Sequence, residues 1–184
     1  MSLMNTYTGR KCDPMNMKAD DVALEDIAHA LSMLCRGCGH IRWFYPVAQH
    51  CVNCAEEAAA RGWPDRLVLA CLLHDAGEAY LSDVISPVKP FLNNYVEIEE
   101  KLMKAVWEKF GLGDLTEDEE QKWRQIDHEV MNNELIAMMP GEEERAAVPL
   151  SSEPDLQEYP HGVIEKRYLE KARLLLEKIG KKTG

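Results

Sequence analysis

The chain has 184 residues, 46% hydrophobic and 29% charged, enough for one domain with a real core and short for two. A formal net charge of −11 makes most of its surface repel phosphate polymers, which argues against broad nucleic-acid binding. No apolar run approaches the roughly 20 residues that cross a bilayer, and no basic-then-apolar export leader is present, so a cytoplasmic protein without a membrane partner is expected.

Residues 1–19 read as an N-terminal arm, with Met-Ser-Leu ahead of Met4 resembling a cloning remnant and "NTYTG" able to form a short hairpin at most. From residue 20 helical periodicity dominates. In "DDVALEDIAHALSMLCRG", Leu24, Ile27, Ala28, Leu31 and Leu34 fall on one stripe, with Asp20 or Asp21 as N-cap and Gly37 near the stop. An irregular stretch, "CGHIRWFY", precedes a second helix, "PVAQHCVNCAEEAAARG", with Pro46 suited to its first turn and Val47, Cys51, Cys54 and Ala58 as its apolar stripe. A third helix starts at Pro64–Asp65 and carries "CLLHDAGEAYLSD". The two prolines of "SDVISPVKPFLNN" predict a loop.

A fourth helix follows in "NYVEIEEKLMKAVWEKFG", with Ile98, Leu102, Ala105, Val106 and Phe110 on one face. Thr116 and Glu119 have capping-box spacing and open a fifth helix that runs to Pro140. Residues 140–162, acidic and Pro-containing, predict a long surface loop, and a last helix covers roughly 163–179. Residues 20–184 thus make a single all-α domain, a bundle of about six main helices.

Ionisable residues on apolar faces carry the functional signal, because an unpaired buried charge costs several kcal/mol. His74 and Asp75 end the apolar run "LVLACLL", and Glu78 follows one turn on. As helix neighbours, His74 and Asp75 should diverge by about 100° and not pair with each other, yet both can reach one ion over the helix shoulder. His50 lies between Val47 and Cys51/Cys54 on the inward face of the second helix. Asp127 follows Ile126 on the fifth, where Trp123, Val130 and Met131 mark the buried stripe. Two imidazoles and two carboxylates pointing into a bundle core make a mixed N/O ligand set for one divalent cation.

The ordered set His50, His74–Asp75 and Asp127 on helices resembles the HD-domain superfamily of metal-dependent phosphohydrolases. The phrases "GHIRWFYPVAQH" and "LLHDAGEAYLSD" extend the likeness over about residues 20–135, and it is closest to the bacterial 5′-deoxynucleotidase-like branch and its phage-type relatives. The resemblance implies that the four residues hold the ion, with Asp75 and Glu78 catalytic and Glu78 moving a proton. It also implies that Arg42 and Lys89 neutralise a phosphate, Trp43 packs on a sugar or base, and Asp83 accepts a sugar hydroxyl. The expected substrate is a nucleoside 5′-monophosphate or similar small phosphate ester. Ligand type leaves the metal open among manganese, iron, cobalt, nickel and zinc, with magnesium less favoured by imidazoles.

Blander roles stand beside these. Arg42, Lys89 and Asp83 could be surface pairs or turn residues; His40 could bond within its loop; His128 should point to the surface, and His161 has no evident task. Cys35-x2-Cys38 and Cys51-x2-Cys54 have the spacing of a four-thiolate zinc site. Cys51 and Cys54 nevertheless lie on a helix stripe, where buried cysteine behaves as a small hydrophobe, and a knuckle there would misplace His50. Two rival functions remain: hydrolysis of a nucleotide pyrophosphate or triphosphate, needing more cations than Arg36, Arg42 and Lys89, and a non-catalytic metal-stabilised binding module. Trp107, Trp123, Met138 and Met139, read as exposed, would allow a homodimer.

Overall fold

The computed structural model describes residues 3–85 and 87–182, so two of the three residues read as a cloning remnant and position 86 of the Pro-containing loop fall outside it. The chain is 61% helical with almost no strand. Two two-residue strands, β1 (Met4–Asn5) and β2 (Lys11–Cys12), pair antiparallel with Met4 opposite Cys12 and form the small hairpin expected of the arm. Cys12 plugs into the core, and Thr8 donates its N–H and hydroxyl to Asp26 at 2.7 and 3.0 Å, so the arm is docked.

Helix α1 spans Leu24–Met33 and buries Ile27, Ala28 and Leu31. Neither Asp20 nor Asp21 caps it. Both belong to a separate 3-10 turn, Ala19–Asp21, in which the Asp21 carboxylate accepts from Lys18 N at 3.0 Å. Val22 and Ala23 are extended and buried before the helix begins. Helix α2, Val47–Ala60, starts one place later than expected, with Pro46 as the extended N-cap residue. Gly62, at φ 73°, takes the left-handed conformation that ends it.

Helix α3, Asp65–Leu73, stops just before His74. Residues 74–77 form a tight turn leading to α4, Glu78–Leu81, with i to i+3 bonds such as Ala76 N to Leu73 O and Glu78 N to Asp75 O. The single helix expected through this stretch is therefore broken at the residues with the chemistry. Helices α5 (Tyr95–Lys109), α6 (Glu117–Met138) and α7 (His161–Lys182) complete the fold. The Thr116 capping box is formed, with Glu119 N to Thr116 Oγ1 at 3.2 Å and Thr116 N to Glu119 Oε2 at 2.9 Å.

Helix α2 is the hub, packed against α1, α3, α6 and α7. Its inward residues are small, with Ala48, Cys51, Cys54, Ala55 and Ala58 all fully buried, which lets four neighbours approach closely. Large side chains of those neighbours, among them Leu31, Leu69, Leu72, Ile126 and Tyr168, fill the remaining space. Each such burial contributes about 1.5–3 kcal/mol. The Tyr168 hydroxyl donates to Leu72 O at 3.0 Å and fastens α7 to α3.

Residues 139–160 carry neither helix nor strand, as expected, but they form a strap tied down by α2. The fully buried Glu57 carboxylate accepts from Ser151 N at 2.9 Å, Ser152 N at 2.7 Å, Ser152 Oγ at 2.6 Å and Arg61 Nε at 2.7 Å. Burial resists its charge, yet these donors win and lower its pKa below the ordinary 4.5. A carboxylate with a lowered folded-state pKa stabilises the fold above its unfolded value, and that stability disappears as pH falls through the folded value. Glu57→Ala should therefore cost about 3 kcal/mol at pH 7. Urea midpoints of wild type and variant should converge below pH 4.5; a gap that stays constant through the acid range would refute this account.

Candidate metal centre

His50 (α2), His74 and Asp75 (the turn after α3) and Asp127 (α6) meet at one point under the bundle surface. His50 Nε2 lies 3.0 Å from Asp127 Oδ1 and 3.9 Å from Asp75 Oδ2. His74 Nε2 lies 3.2 Å from Asp75 Oδ2 and 3.5 Å from Asp127 Oδ1. The side-chain ends of His74 and Asp75 thus converge on one point although the two are chain neighbours, as reaching for one shared ion requires. Ligand atoms about 2.0–2.2 Å from a shared ion stand roughly 3.0–3.5 Å apart, close to these edges.

Both imidazoles are held by their other nitrogen. His50 Nδ1 is 2.9 Å from Glu134 Oε2, and His74 Nδ1 is 2.8 Å from Cys71 O. Each Nδ1–H donates to a fixed acceptor, which leaves the Nε2 lone pair aimed into the cluster. His74 Nε2 is buried and makes no well-formed hydrogen bond there. Such an orphan in a polar core suits a cation.

Charge points the same way. Burial presses both imidazoles toward neutrality; Asp75 and Asp127 outweigh it at His74, whose pKa is raised well above the ordinary range. At His50, burial and Arg36 are overcome by Glu134 and Asp127. Burial also resists ionisation of the carboxylates, but His74 holds Asp75 down at about 2, and the hydrogen bond to His50 and the nearby His74 hold Asp127 well below its ordinary range. The cluster is short of positive charge, and a proton or a metal ion can take the same lone pairs.

Ligand-type atoms of His50, Cys54 and His74, and of Cys51, His74 and Asp75, also lie within 4.8 Å of one another. Burial, reinforced by neighbouring carboxylates, pushes the Cys51 and Cys54 thiols well above their ordinary range, so the ionised carboxylates are the better ligands. Neither group includes Cys35 or Cys38, and Cys38 is exposed. The four cysteines do not form a thiolate knuckle among the described residues, and Cys51 and Cys54 pack in the core.

Two residues at the centre carry more weight than their sequence signal. Arg36 is placed by a 3-10 turn, Arg36–Gly39, whose Gly37 and Cys38 have φ of 60° and 52°. Its Nη1 donates to Asp75 Oδ2 at 3.3 Å, and its Nε is 3.7 Å from Glu134 Oε2. Glu134 is buried and also accepts from Tyr45 Oη at 2.7 Å. Glu134 went unread, although it lies two turns beyond Asp127 on α6 and so faces the same way. Tyr45 in turn accepts from Asn53 Nδ2 at 2.7 Å, and Asn53 grips Asp155 of the strap, its Nδ2 donating to Asp155 O and its Oδ1 accepting from Asp155 N, each at 3.1 Å.

A cleft of about 700 Å³ opens on His74, Asp75 and Asp127 and is lined further out by Glu78 and Lys89. Glu78 is buried with Oε2 unpartnered; burial, then the charges of Asp75 and Asp83, push its carboxyl up to about 9. Lys89 pairs with Glu99 at 2.9 Å, and Asp83 is half-buried close enough to act on Glu78. Arg42 and Trp43 do not line this cleft. Arg42 pairs with Glu143, and Trp43 Nε1 donates to Leu156 O at 2.9 Å, so both hold the strap. His40, His128 and His161 are exposed. Met138 is buried, and Trp107, Trp123 and Met139 are half-buried and not exposed, the two indoles lining the cleft.

No family model matches the chain. It is 38% identical over 112 residues to the uncharacterized protein YfdR of Escherichia coli (strain K12), covering 61% of this chain and 60% of that one. To an uncharacterized protein of Rhodobacter capsulatus it is 40% identical over 111 residues, covering 57% and 56%. The chain thus spans less than two thirds of the length of these curated relatives. Among the described residues, no helix is long and apolar enough to cross a membrane.

Proposed function

We propose that the protein is a metal-dependent phosphohydrolase of the HD-domain type, removing phosphate from a nucleoside 5′-monophosphate or a similar small ester. One observation carries the reading: two imidazoles, each anchored through Nδ1, turn their Nε2 atoms onto two ionised carboxylates beside an accessible cleft. His50, His74, Asp75 and Asp127 would hold a divalent ion. When bound, such an ion supplies a Lewis acid for a phosphate oxygen and acidifies a water molecule.

The remaining work falls to this chain's own side chains. Lys89, which lines the cleft, is the cation offered to the phosphate. Arg36 pairs with Asp75 and Glu134 and holds the Asp75 carboxylate at the cluster. In the hydrolytic step water oxygen bonds to phosphorus while the ester P–O bond breaks. Glu78, whose carboxyl burial and the charges of Asp75 and Asp83 push up to about 9 without metal, gives its proton to the departing oxygen and regains one from the attacking water.

The test is phosphate release from nucleoside 5′-monophosphates and simpler esters with Mn²⁺, Co²⁺, Zn²⁺ or Mg²⁺. Turnover should stop with EDTA, return on adding the ion, and be absent in His74→Ala, which should also lose the thermal stabilisation that Mn²⁺ gives wild type. A wild type that binds the ion and hydrolyses none of the esters would instead be a metal-stabilised binding module.

A further inference from the structure

We propose that the substrate's leaving group lies in the cleft between α5 and α6, packed on Trp107 and Trp123, and that this pair selects a single-phosphate ester with a flat, uncharged aromatic leaving group. The proposal rests on the phosphohydrolase reading above. At about 700 Å³ the cleft falls in the range that encloses a whole organic ligand, and a bare phosphate or a short aliphatic ester would leave most of it empty. Its apolar wall is Met103, Trp107, Leu112, Leu115 and Trp123. The Trp123 ring is centred 5.8 Å from the His74 ring and 6.3 Å from the Trp107 ring, so the aromatic surface begins beside the reacting phosphate and continues outward.

Both indoles are half-buried, and such faces stack on any aromatic ring. A buried indole N–H usually finds a partner, and among the described residues Trp123 Nε1 has none. Charge narrows the class further. Lys89, Lys104 and Arg124 around the cleft are matched by Glu99, Glu100 and Glu120, with Lys89 already paired to Glu99. No surplus of positive charge remains for a di- or triphosphate chain, which disfavours the pyrophosphatase alternative. Trp43, turned to the strap, cannot provide this wall.

Steady-state kinetics with Mn²⁺ on a nucleoside 5′-monophosphate and on glycerol 3-phosphate test the idea in wild type, Trp107→Leu and Trp123→Leu. Wild type should favour the aromatic ester, and the ratio of the two kcat/KM values should fall at least about fivefold in each leucine variant, mainly through KM. Trp123→Phe, which keeps a ring and the packing, should retain most of the preference. A second readout needs no turnover: adenosine, without phosphate, should saturably quench wild-type tryptophan fluorescence and fail to do so in Trp123→Leu. Adenosine binding without hydrolysis of any ester would sink the phosphohydrolase reading and keep the aromatic cleft. Hydrolysis with an unchanged ratio in both leucine variants, or with no adenosine binding, would overturn the cleft proposal alone.

Discussion

Glu134→Gln is expected to weaken divalent-ion binding about 10- to 100-fold, although Glu134 touches no ligand atom of the proposed ion. Three donors converge on this carboxylate: Tyr45 Oη, His50 Nδ1 and the Arg36 guanidinium. An amide can accept at only one end. If its N–H₂ faces His50, the imidazole must take up the other tautomer, with its proton on Nε2 where the ion would bind. Glu134→Ala is the harsher change. It leaves the buried Tyr45 hydroxyl proton without its acceptor and strips Arg36 of one of its two carboxylates, and should cost about 3–5 kcal/mol of stability. Mn²⁺ titration calorimetry on the glutamine variant and urea unfolding of both variants without metal separate the two effects. Wild-type affinity in Glu134→Gln would show that Glu134 only fills space.

Glu78→Gln should lower kcat about a hundred- to ten-thousandfold while leaving Mn²⁺ affinity near wild type, because in the proposed reaction the carboxyl delivers a proton and binds no ion. The pH dependence has a definite sign. A general acid acts in its protonated form, so activity should fall as pH rises through the Glu78 pKa. Burial, Asp75 and Asp83 push that value up to about 9 without metal, and a dication beside Asp75 would draw it down, so the alkaline limb should lie below 9. The variant should lose this limb. Full turnover in Glu78→Gln, or an unchanged alkaline limb, would move the acid role to another residue.

Periodicity in the sequence located the six long helices because each has an apolar stripe that must be buried, and the capping box at Thr116 marked one start to the residue. Boundaries were missed where tertiary demands override local signals. Asp20 and Asp21 look like caps, but Val22 and Ala23 are needed in the core as extended chain, which delays α1 to Leu24. Nothing local announces that α3 ends at Leu73, since His74 keeps helical dihedrals and the break is a tightening of hydrogen bonding. The convergence of His50, His74, Asp75 and Asp127 was legible from ionisable residues on apolar stripes. The places of Arg42 and Trp43 were not, because their partners, Glu143 and Leu156, lie more than a hundred residues away and belong to a segment without periodicity.

The strap has a further consequence. Residues 143–147, an exposed run within it, follow every side chain assigned to the ion and the cleft, while α7 clings to the body through Ile164, Tyr168, Ala172 and Leu175. The polypeptide is therefore a piece that carries the candidate metal centre and a clamping piece, joined by a segment that Arg42 and Asn132 fasten at Glu143 and Ala146. Asn53 and Tyr45 link the clamping piece to Glu134 and His50, so whatever loosens the clamp is felt at the imidazole.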